Sequence, residues 1–436
     1  RHFDMSSRFV RASKFRHVHG EAPKLEQCFQ ELRPQTSGEG NYIAANSKYF
    51  AIGILGGGGP LLVHPLNEPK RFPAKYPVVN VHRGKILDID FNPFYTDLVG
   101  MASDDGTASM VRIPEEFKEN VKEPLVHLVG HQKRIGVFRF NPAAAGVVAT
   151  GSYDNTIRIW DVQAQAEVLQ FDGFGDFIQG IAWNADGSTM ATTSKDRQIR
   201  IFDPRQTDAV TTVEGFRGAK SSKSVWAENQ GKLIVTGFTR NASRAFRVYD
   251  PRNMNEIMDE NELDQSAGVL LPFYDSDTSM FWITGKGDGS IRYFEVDGEE
   301  PYAHSLSEFR SNVPHKGITF TPKSGVDYMG CEIAFCLRLQ KNLVEPIHFI
   351  VPRKSDQFQP DLYPDTFAGN PAVTAEEWIG GASGIPELSS IQEAAAASGN
   401  SAEFVAKKSP AELEKELSEA LERIKELEAQ LAALQG

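Results

Sequence analysis

The chain has 436 residues, a formal net charge of −12 and three cysteines. This length is ample for a large folded core. The acidic balance argues against general nucleic-acid binding, and the odd, low cysteine count argues against a disulfide framework and fits a reducing cytosol. The sequence contains no Cys/His cluster of the kind that would predict a metal site. It also contains no apolar run long enough to predict a transmembrane helix.

The first part of the chain has a local excess of positive charge. Residues 1–4 precede Met5 and are interpreted as a cloning remnant rather than a natural extension. The cations that follow are Arg8, Arg11, Lys14 and Arg16, with Arg33 further along. A local basic patch can dock on an acidic protein. Ion pairing within the chain, or simple solvation, explains the first four cations equally well.

A short pattern recurs through the middle of the chain. Each copy alternates apolar and basic side chains and ends in an aromatic residue and an acid. The aromatics are Trp160, Phe202, Tyr249 and Phe294, which are 42, 47 and 45 residues apart. This period and alternation predict a β-unit repeated around an axis. Because such a unit cannot bury its own faces, the units must pack on one another in a single fold.

Aligning the units predicts an all-β, seven-bladed β-propeller over residues 5–351. The clearest unit starts at Gly130 and ends at Phe171, with turns at Asn141-Pro142 and Tyr153-Asp154-Asn155. Apolar runs separated by Asn, Asp, Gly and Pro are typical of hairpins. The remaining units are predicted at 42–66, 82–113, 181–204, 217–251, 266–296 and 317–351, the last being weak.

The clearest unit resembles the WD-repeat signature. Gly130-His131 precedes its first strand, Asp154 lies in its tight turn, and Trp160-Asp161 ends its third strand. The resemblance implies that His131, Asp154, Trp160 and a strand hydroxyl, from Thr150 or Ser152, form a buried hydrogen-bonded chain. The role implied for these residues is structural.

Two further segments follow the propeller. Residues 352–378 are broken by proline, which rules out a long helix or strand, and their large apolar groups predict an extension packed along one face of the propeller. Residues 379–408 are dominated by Gly, Ser, Ala and Glu. That composition predicts a flexible linker, with a transient helix at 391–397.

Residues 409–436 are predicted to form a coiled-coil helix. Ser409 is a good N-cap and Pro410 suits the first helical position. Apolar residues then step alternately by four and three positions, at Leu413, Leu417, Ala420, Ile424, Leu427, Leu431 and Leu434. This heptad seam favours self-association, because a lone helix of this length is marginal in water. Docking of the helix on the propeller is the alternative.

Propeller, extension and terminal helix together resemble the coronins, a family of actin-filament regulators. The resemblance covers nearly the whole chain. It rests on residues 11–18, 270–275 and 285–294, and above all on the extension at 352–366. The resemblance implies a propeller that binds filamentous actin.

The resemblance also implies roles for individual residues. Arg33 matches a position at which coronins contact actin, while Arg8, Arg11, Lys14 and Arg16 are weaker candidates; a solvated surface arginine is the plain alternative for Arg33. The coronin trimerisation pattern is matched by Arg423, Ile424, Leu427 and Glu428. Ile424 and Leu427 occupy core positions, and Arg423 can pair with Glu428 of a parallel neighbour. A trimer is favoured, and dimers and tetramers, including antiparallel ones, stay open.

The predicted function is bundling or crosslinking of actin filaments by propellers joined through the coiled coil, since linked sites gain avidity. The expected location is the cytoplasm, at the actin cytoskeleton and cell cortex. Kinship alone implies contact with the actin-branching nucleator complex and an effect on cofilin. No enzyme or cofactor is predicted: Gly56–Gly59 is followed by Pro60 and lacks the P-loop lysine. The alternatives are a scaffold for signalling or membrane-traffic complexes that does not bind actin, and a reader of peptides or phosphopeptides at the propeller's central mouth.

Overall fold

The computed structural model describes residues 11–206, 210–397, 404, 417, 418, 421 and 423–425. These residues form seven antiparallel blade sheets that follow one another along the chain. Around most of the ring, neighbouring blades contact each other through their innermost strands. This arrangement confirms the predicted all-β, seven-bladed propeller. The predicted coiled coil lies almost entirely outside the described residues and stays a prediction.

Blade 1 has three strands and blades 2 to 4 have four each, ordered from the innermost strand outwards. Blade 1 consists of β3 (Ile43–Ala45), β4 (Tyr49–Gly53) and β5 (Leu61–Pro65). Blade 2 consists of β6 (Ile86–Phe91), β7 (Leu98–Ser103), β8 (Thr107–Arg112) and β9 (Val126–Val129). Blade 3 consists of β10 (Ile135–Phe140), β12 (Val147–Ser152), β13 (Ile157–Asp161) and β14 (Ala166–Phe171). Blade 4 consists of β15 (Ile178–Trp183), β16 (Met190–Ser194), β17 (Gln198–Phe202) and β18 (Thr211–Glu214).

Blades 5 and 6 repeat this order, and blade 7 completes the ring. Blade 5 consists of β19 (Lys223–Ala227), β20 (Lys232–Phe238), β21 (Arg244–Asp250) and β22 (Asn253–Asp264). Blade 6 consists of β23 (Leu270–Asp275), β24 (Met280–Gly285), β25 (Ser290–Val296) and β26 (Ala303–Arg310). Blade 7 consists of β27 (Gly317–Phe320), β28 (Glu332–Leu339), β29 (Leu343–Ile350) and the N-terminal strand β1 (His19–Glu21).

The N-terminal segment closes the ring. Strand β1 pairs antiparallel with β29, with His19 opposite Ile350, and β2 (Phe29–Gln30) pairs with the other end of β29. Because β29 belongs to the last blade, the two ends of the propeller are joined in one sheet. A paired edge removes free hydrogen-bonding groups that would otherwise be exposed. The sequence pattern did not predict this closure.

The hydrophobic core lies between the blades. Strand residues alternate between the two faces of each sheet, so every blade presents apolar side chains to both neighbours. Between blades 2 and 3, for example, Met110, Phe138 and Trp160 are buried in one cluster. The largest cluster joins blades 6, 7 and 1, where the Trp282 and Phe349 ring centroids are 4.5 Å apart. Burial of this kind stabilises by roughly 25 cal/mol per Å² of apolar surface.

Residues beyond the last blade lie against the propeller. Trp378, in helix α1 (Ala375–Ile379), is fully buried, and its indole N–H donates to the carbonyl of Gly187 at 2.8 Å. Short pairings tie down the same region, between β11 (Ala144–Ala145) and β31 (Val373–Thr374), and between β30 (Thr366–Phe367) and β32 (Leu388–Ser389). The remaining short helices are 3-10 turns at Leu25–Gln27, Glu228–Gln230, Lys323–Gly325 and Pro360–Leu362.

The segment 379–397 differs from the flexible linker expected over 379–408. Strand β32 and helix α2 (Ile391–Ala397) are ordered on the propeller. Ile391 and Ala394 are buried, and Ser390 caps the helix through hydrogen bonds with Glu393. The helix has the bounds predicted for a transient one, and its apolar spacing of three residues gives it a side that is buried on the propeller. Phe404 is also buried, against the ring of Tyr95.

The propeller has two distinct faces. We call upper the face that carries the turns between second and third strands, such as 153–156, and the connections between blades, such as 130–134. The lower face carries the turns between first and second strands, such as 92–97, and receives residues 352–397. Successive turns along each blade lie at opposite ends of its strands. Each loop, with its charged residues, therefore belongs to one of the two faces.

Candidate functional site

A chain of four side chains holds the upper turn of blade 3. Nδ1 of His131 lies 2.9 Å from a carboxylate oxygen of Asp154, and its Nε2 lies 2.8 Å from Oγ1 of Thr150. The indole N–H of Trp160 donates to that same hydroxyl oxygen at 2.7 Å. The structure therefore brings His131, Asp154 and Trp160 together, and the strand hydroxyl is that of Thr150 rather than Ser152.

The protonation of this chain is fixed by its surroundings. Burial opposes ionisation of Asp154, but hydrogen bonds from Thr156, the Gln132 backbone N–H and His131 lower the pKa of its carboxyl group to about 2. Burial lowers the pKa of His131 below its ordinary value, against the opposing effect of Asp154. A neutral imidazole can donate from Nδ1 and accept at Nε2. The arrangement fixes a turn and has no group left free for chemistry.

Blade 2 contains a related pair that the sequence analysis missed. Nδ1 of His82 lies 3.2 Å from a carboxylate oxygen of Asp105 and 3.0 Å from Oγ1 of Thr107. Burial opposes the shift, yet hydrogen bonds from these two side chains hold the pKa of Asp105 far below its usual range. His82 precedes Asp105 by 23 residues, as His131 precedes Asp154. That shared spacing was the available signal.

Arg33 lies on the upper face, where blades 7 and 1 meet. The backbone N–H of Leu32 donates to the carbonyl of Asn342 in the upper turn of blade 7, at 2.9 Å. The N–H of Leu55, in the upper turn of blade 1, donates to the carbonyl of Arg33 at 2.8 Å. The arginine side chain is exposed, and no carboxylate of the described residues forms an ion pair with it. The backbone at Arg33 is thus held by hydrogen bonds, and its exposed guanidinium group is available to a partner.

Other cations lie on the same face, on loops around the ring. Exposed ones on upper-face loops are Arg33, Arg83, Lys85, Lys133, Arg134, Arg197, Arg217, Lys220, Arg240 and Lys341. Exposed carboxylates on these loops include Glu31, Glu39, Asp104, Asp105, Asp172 and Glu214. The cations outnumber these carboxylates, so the face carries a positive field that attracts an acidic surface and is weakened by salt.

The lower face has the opposite charge pattern. Its loops carry partly or fully exposed carboxylates at Asp97, Asp186, Asp203, Glu228, Asp250, Asp275, Asp277, Asp297, Glu299 and Glu300. Some of the cations near them are paired within the chain: Lys323, for instance, forms an ion pair with Asp275. An acidic partner is therefore attracted to the upper face and repelled by the lower one.

The other cationic candidates do not lie beside Arg33. The guanidinium of Arg11 forms ion pairs with Glu295 at 2.6 Å and Asp297 at 2.8 Å, at the lower end of blade 6. The other two donate to backbone carbonyls: Lys14 to Asp361 and Arg16 to Arg11. These cations are committed to holding the N-terminal segment against the lower side. Arg8 lies outside the described residues.

The predicted oligomerisation residues are only partly described. Leu417, Arg423 and Ile424 are helical, and the side chains of Leu417 and Ile424 are 62% and 50% exposed. Large apolar side chains that stay exposed on a helix are available for association. Ala420, Leu427, Glu428, Leu431 and Leu434 lie outside the described residues.

The described part of the chain offers no site for a metal ion, since it contains no group of three or more His, Cys, Asp or Glu residues in a suitable arrangement. Within the same residues, no helix combines the length and apolarity needed to cross a membrane.

Family models match three parts of the sequence. Residues 8–71 match the "domain of unknown function (DUF1899)". Residues 122–161 and 166–203 match the "WD domain, G-beta repeat", and residues 344–386 match a "type of WD40 repeat". The WD-domain matches run from the last strand of blade 2 to the third strand of blade 4, and the 344–386 match covers the third strand of blade 7 and the segment beyond it.

Known relatives match over most of the chain. Coronin-A of Dictyostelium discoideum is 40% identical over 425 residues, which cover 96% of this chain and 95% of that protein. Coronin-like protein crn1 of Schizosaccharomyces pombe is 36% identical over 393 residues, which cover 88% of this chain but only 65% of that longer protein. The crystal structure of the WD40 domain from Toxoplasma gondii coronin matches with a TM-score of 0.82 and 33% identity, covering 87% of this chain and 99% of that domain.

Proposed function

The chain belongs to the coronin family, and we propose on that basis that it binds actin filaments with the upper face of its propeller. The observation that carries the proposal is the position of Arg33, exposed on a rigid backbone within a surface rich in cations. An acidic filament is attracted to such a surface over about a Debye length, roughly 8 Å at physiological salt.

The proposal assigns the weaker cationic candidates another role. Arg11 bridges two carboxylates of blade 6, and such pairing uses the charge that a partner would need. Arg11, Lys14 and Arg16 then support closure of the ring, and Arg33 with its upper-face neighbours contacts the filament. Charge on the lower face favours the same orientation, because its carboxylates repel an acidic surface.

Filament bundling is the proposed outcome of self-association. The heptad seam at 409–436 links two or three propellers, with a parallel trimer favoured. Linked sites raise apparent affinity by a factor of roughly 10² to 10⁴ when the geometry lets them bind together. A weak single contact then suffices for crosslinking.

Kinship supports further parts of the proposal. The proposal includes contact of the coiled coil with the actin-branching nucleator complex. It also includes an effect of the protein on cofilin-driven filament turnover. The proposed location is the cytoplasm, at the actin cytoskeleton and cell cortex.

The test is co-sedimentation of the full chain with actin filaments. The proposal expects the chain in the pellet at low ionic strength, with less bound as salt rises. A chain that stays in the supernatant at every salt concentration would refute actin binding and would favour the scaffold alternative.

A further inference from the structure

A short segment crosses the upper mouth of the propeller's central channel. We call residues 35–41 the arch. The side chain of Gln35 donates to the carbonyl of Ile86 in blade 2 at 2.9 Å, and that of Asn41 donates to the carbonyl of Ile318 in blade 7 at 2.6 Å. Between these ends, the arch reaches across to the loops of blades 5 and 6.

A carboxylate lies at the centre of the arch. Oε2 of Glu39 accepts a hydrogen bond from the hydroxyl of Ser221, and Oε1 lies 3.5 Å from Nζ of Lys220, both in the connection before blade 5. The next carbonyl, that of Gly40, accepts from Nζ of Lys286 in blade 6. Glu39 is therefore held by groups that recognise a carboxylate.

The cavity beneath the arch is cationic. Its volume is about 610 Å³, and its lining includes Lys85, Arg134, Lys195 and Lys223 beside the arch itself. Aromatic rings form part of the wall: Tyr153 stacks on Phe177 at 4.2 Å, and the guanidinium of Arg134 lies 3.8 Å from the Tyr153 ring centroid. Glu39 and Asp104 are carboxylates that line it. The guanidinium of Arg134 lies 3.8 Å from Asp104, and the ammonium groups of Lys195 and Lys223 donate to the carbonyls of Ala219 and Gln179, so the excess positive charge is held in place around the mouth.

The arch is built so that Glu39 can move. Glycines flank it, and Gly38 has φ of +97°, a conformation that L side chains rarely adopt. The ion pair with Lys220 joins two side chains that are each nearly half exposed, and pairs of that kind contribute little stability. A competing carboxylate can therefore replace Glu39 at small cost.

We propose that the channel mouth is a binding site for the carboxylates of an acidic, extended peptide segment, and that the side chain of Glu39 occupies it until such a segment displaces that side chain. The inference deepens the proposed function and rests on it for the identity of the partner, since the arch follows Arg33 by two residues and lies on the same face. The site itself is defined by chemistry that does not depend on actin.

The test uses a fluorescein-labelled peptide of alternating Asp and Glu, titrated with the full chain and followed by anisotropy. Glu39→Gln removes the internal competitor while keeping a side chain of the same size, and binding is expected to tighten about two- to fivefold. The double variant Lys85→Glu/Lys195→Glu should weaken binding by about tenfold or more. Lys118→Glu/Lys354→Glu changes the same charge away from the mouth and serves as the control.

Several outcomes would overturn the inference. Peptide affinity that is unchanged by Glu39→Gln, or reduced equally by both double variants, shows a diffuse charge effect and no site. Displacement of the peptide by inositol hexakisphosphate far more readily than by unlabelled peptide would assign the mouth to phosphate groups instead. Peptide binding without pelleting on actin refutes the proposed function alone, whereas pelleting with no response of the peptide assay to Glu39→Gln refutes this inference alone.

Discussion

The carbonyl of Arg33 accepts the backbone N–H of Leu55 at 2.8 Å. Arg33 lies between strand β2 and the arch, and this bond attaches it to the upper turn of blade 1. Leu55 is itself 62% exposed, so a cation and an apolar side chain stand together at the edge of the upper face. Arginine is among the residues that are enriched at protein-binding hot spots.

Reversing the charge of Arg33 should weaken filament binding. For Arg33→Glu, we expect the dissociation constant for actin filaments at low salt to rise by about tenfold or more, because an attraction becomes a repulsion. Co-sedimentation measures it. Lys354→Glu is the matched control, since it is an exposed cation of the extension and should bind as the wild type does. Equal affinities for the two variants would contradict the role of Arg33.

The C-terminal helix should determine the molecular mass in solution. Light scattering of the full chain should give a small multiple of the protomer mass, three for the favoured trimer, and deletion of 409–436 should give the protomer. Arg423→Ala should shift the distribution among oligomers if its pairing selects the trimer, while Lys425→Ala should not. A protomer mass for the full chain would rule out the coiled coil.

Removing the hydroxyl at the centre of the blade 3 chain should destabilise the propeller. Thr150→Val keeps the shape of the side chain but leaves Trp160 Nε1 and His131 Nε2 without partners, and unpaired buried groups cost about 1 to 3 kcal/mol each. Urea unfolding should report a loss of about 2 kcal/mol or more. Thr212→Val, on an exposed outer strand, should change stability by less than about 0.5 kcal/mol. Similar losses for both variants would contradict the importance of the chain.

His315 should make the propeller sensitive to mild acid. Burial, with the nearby charge of Arg338, lowers the pKa of His315 from 6.5 to about 3, and Nε2 of its neutral ring is paired with Thr284 Oγ1 at 2.7 Å. The unfolded chain therefore takes up the proton first, so stability falls as the pH drops below 6.5 towards 3. Between about pH 7 and about pH 5 the loss from this group is about 2 kcal/mol.

The measurement is the free energy of unfolding at both pH values for His315→Gln, which should lose less stability on acidification than the wild type does. His17→Gln, at an exposed histidine, should follow the wild type. A pH dependence that is the same in all three proteins would show that His315 does not set the acid response.

Local sequence was sufficient for the repeating part of the fold. The aromatics at Trp160, Phe202, Tyr249 and Phe294 all lie within the last three residues of third strands, because each sits at a fixed place in a unit that the chain repeats. The contact between His131 and Asp154 spans only 23 residues within one unit. Interactions inside a repeat can therefore be predicted from the spacing of the residues along the sequence.

Contacts between segments that are far apart in the chain could not be predicted from the sequence. Arg11 pairs with Glu295 over 284 residues, and β1 pairs with the last blade, because the ring returns the end of the propeller to its beginning. Nothing near Arg11 indicates either partner. Helix α2 was predicted only as a transient helix for a similar reason: its stability comes from burial of Ile391 against the propeller, a surface absent from its own composition.

The most direct test of the central claim is co-sedimentation with actin filaments, comparing the full chain with the chain lacking 409–436 at low and at physiological ionic strength. Our account predicts that the full chain pellets at low salt, that salt reduces the bound fraction, and that the shortened chain binds much more weakly at both. A bound fraction indifferent to salt and to loss of the helix, or no binding at low salt, would contradict it.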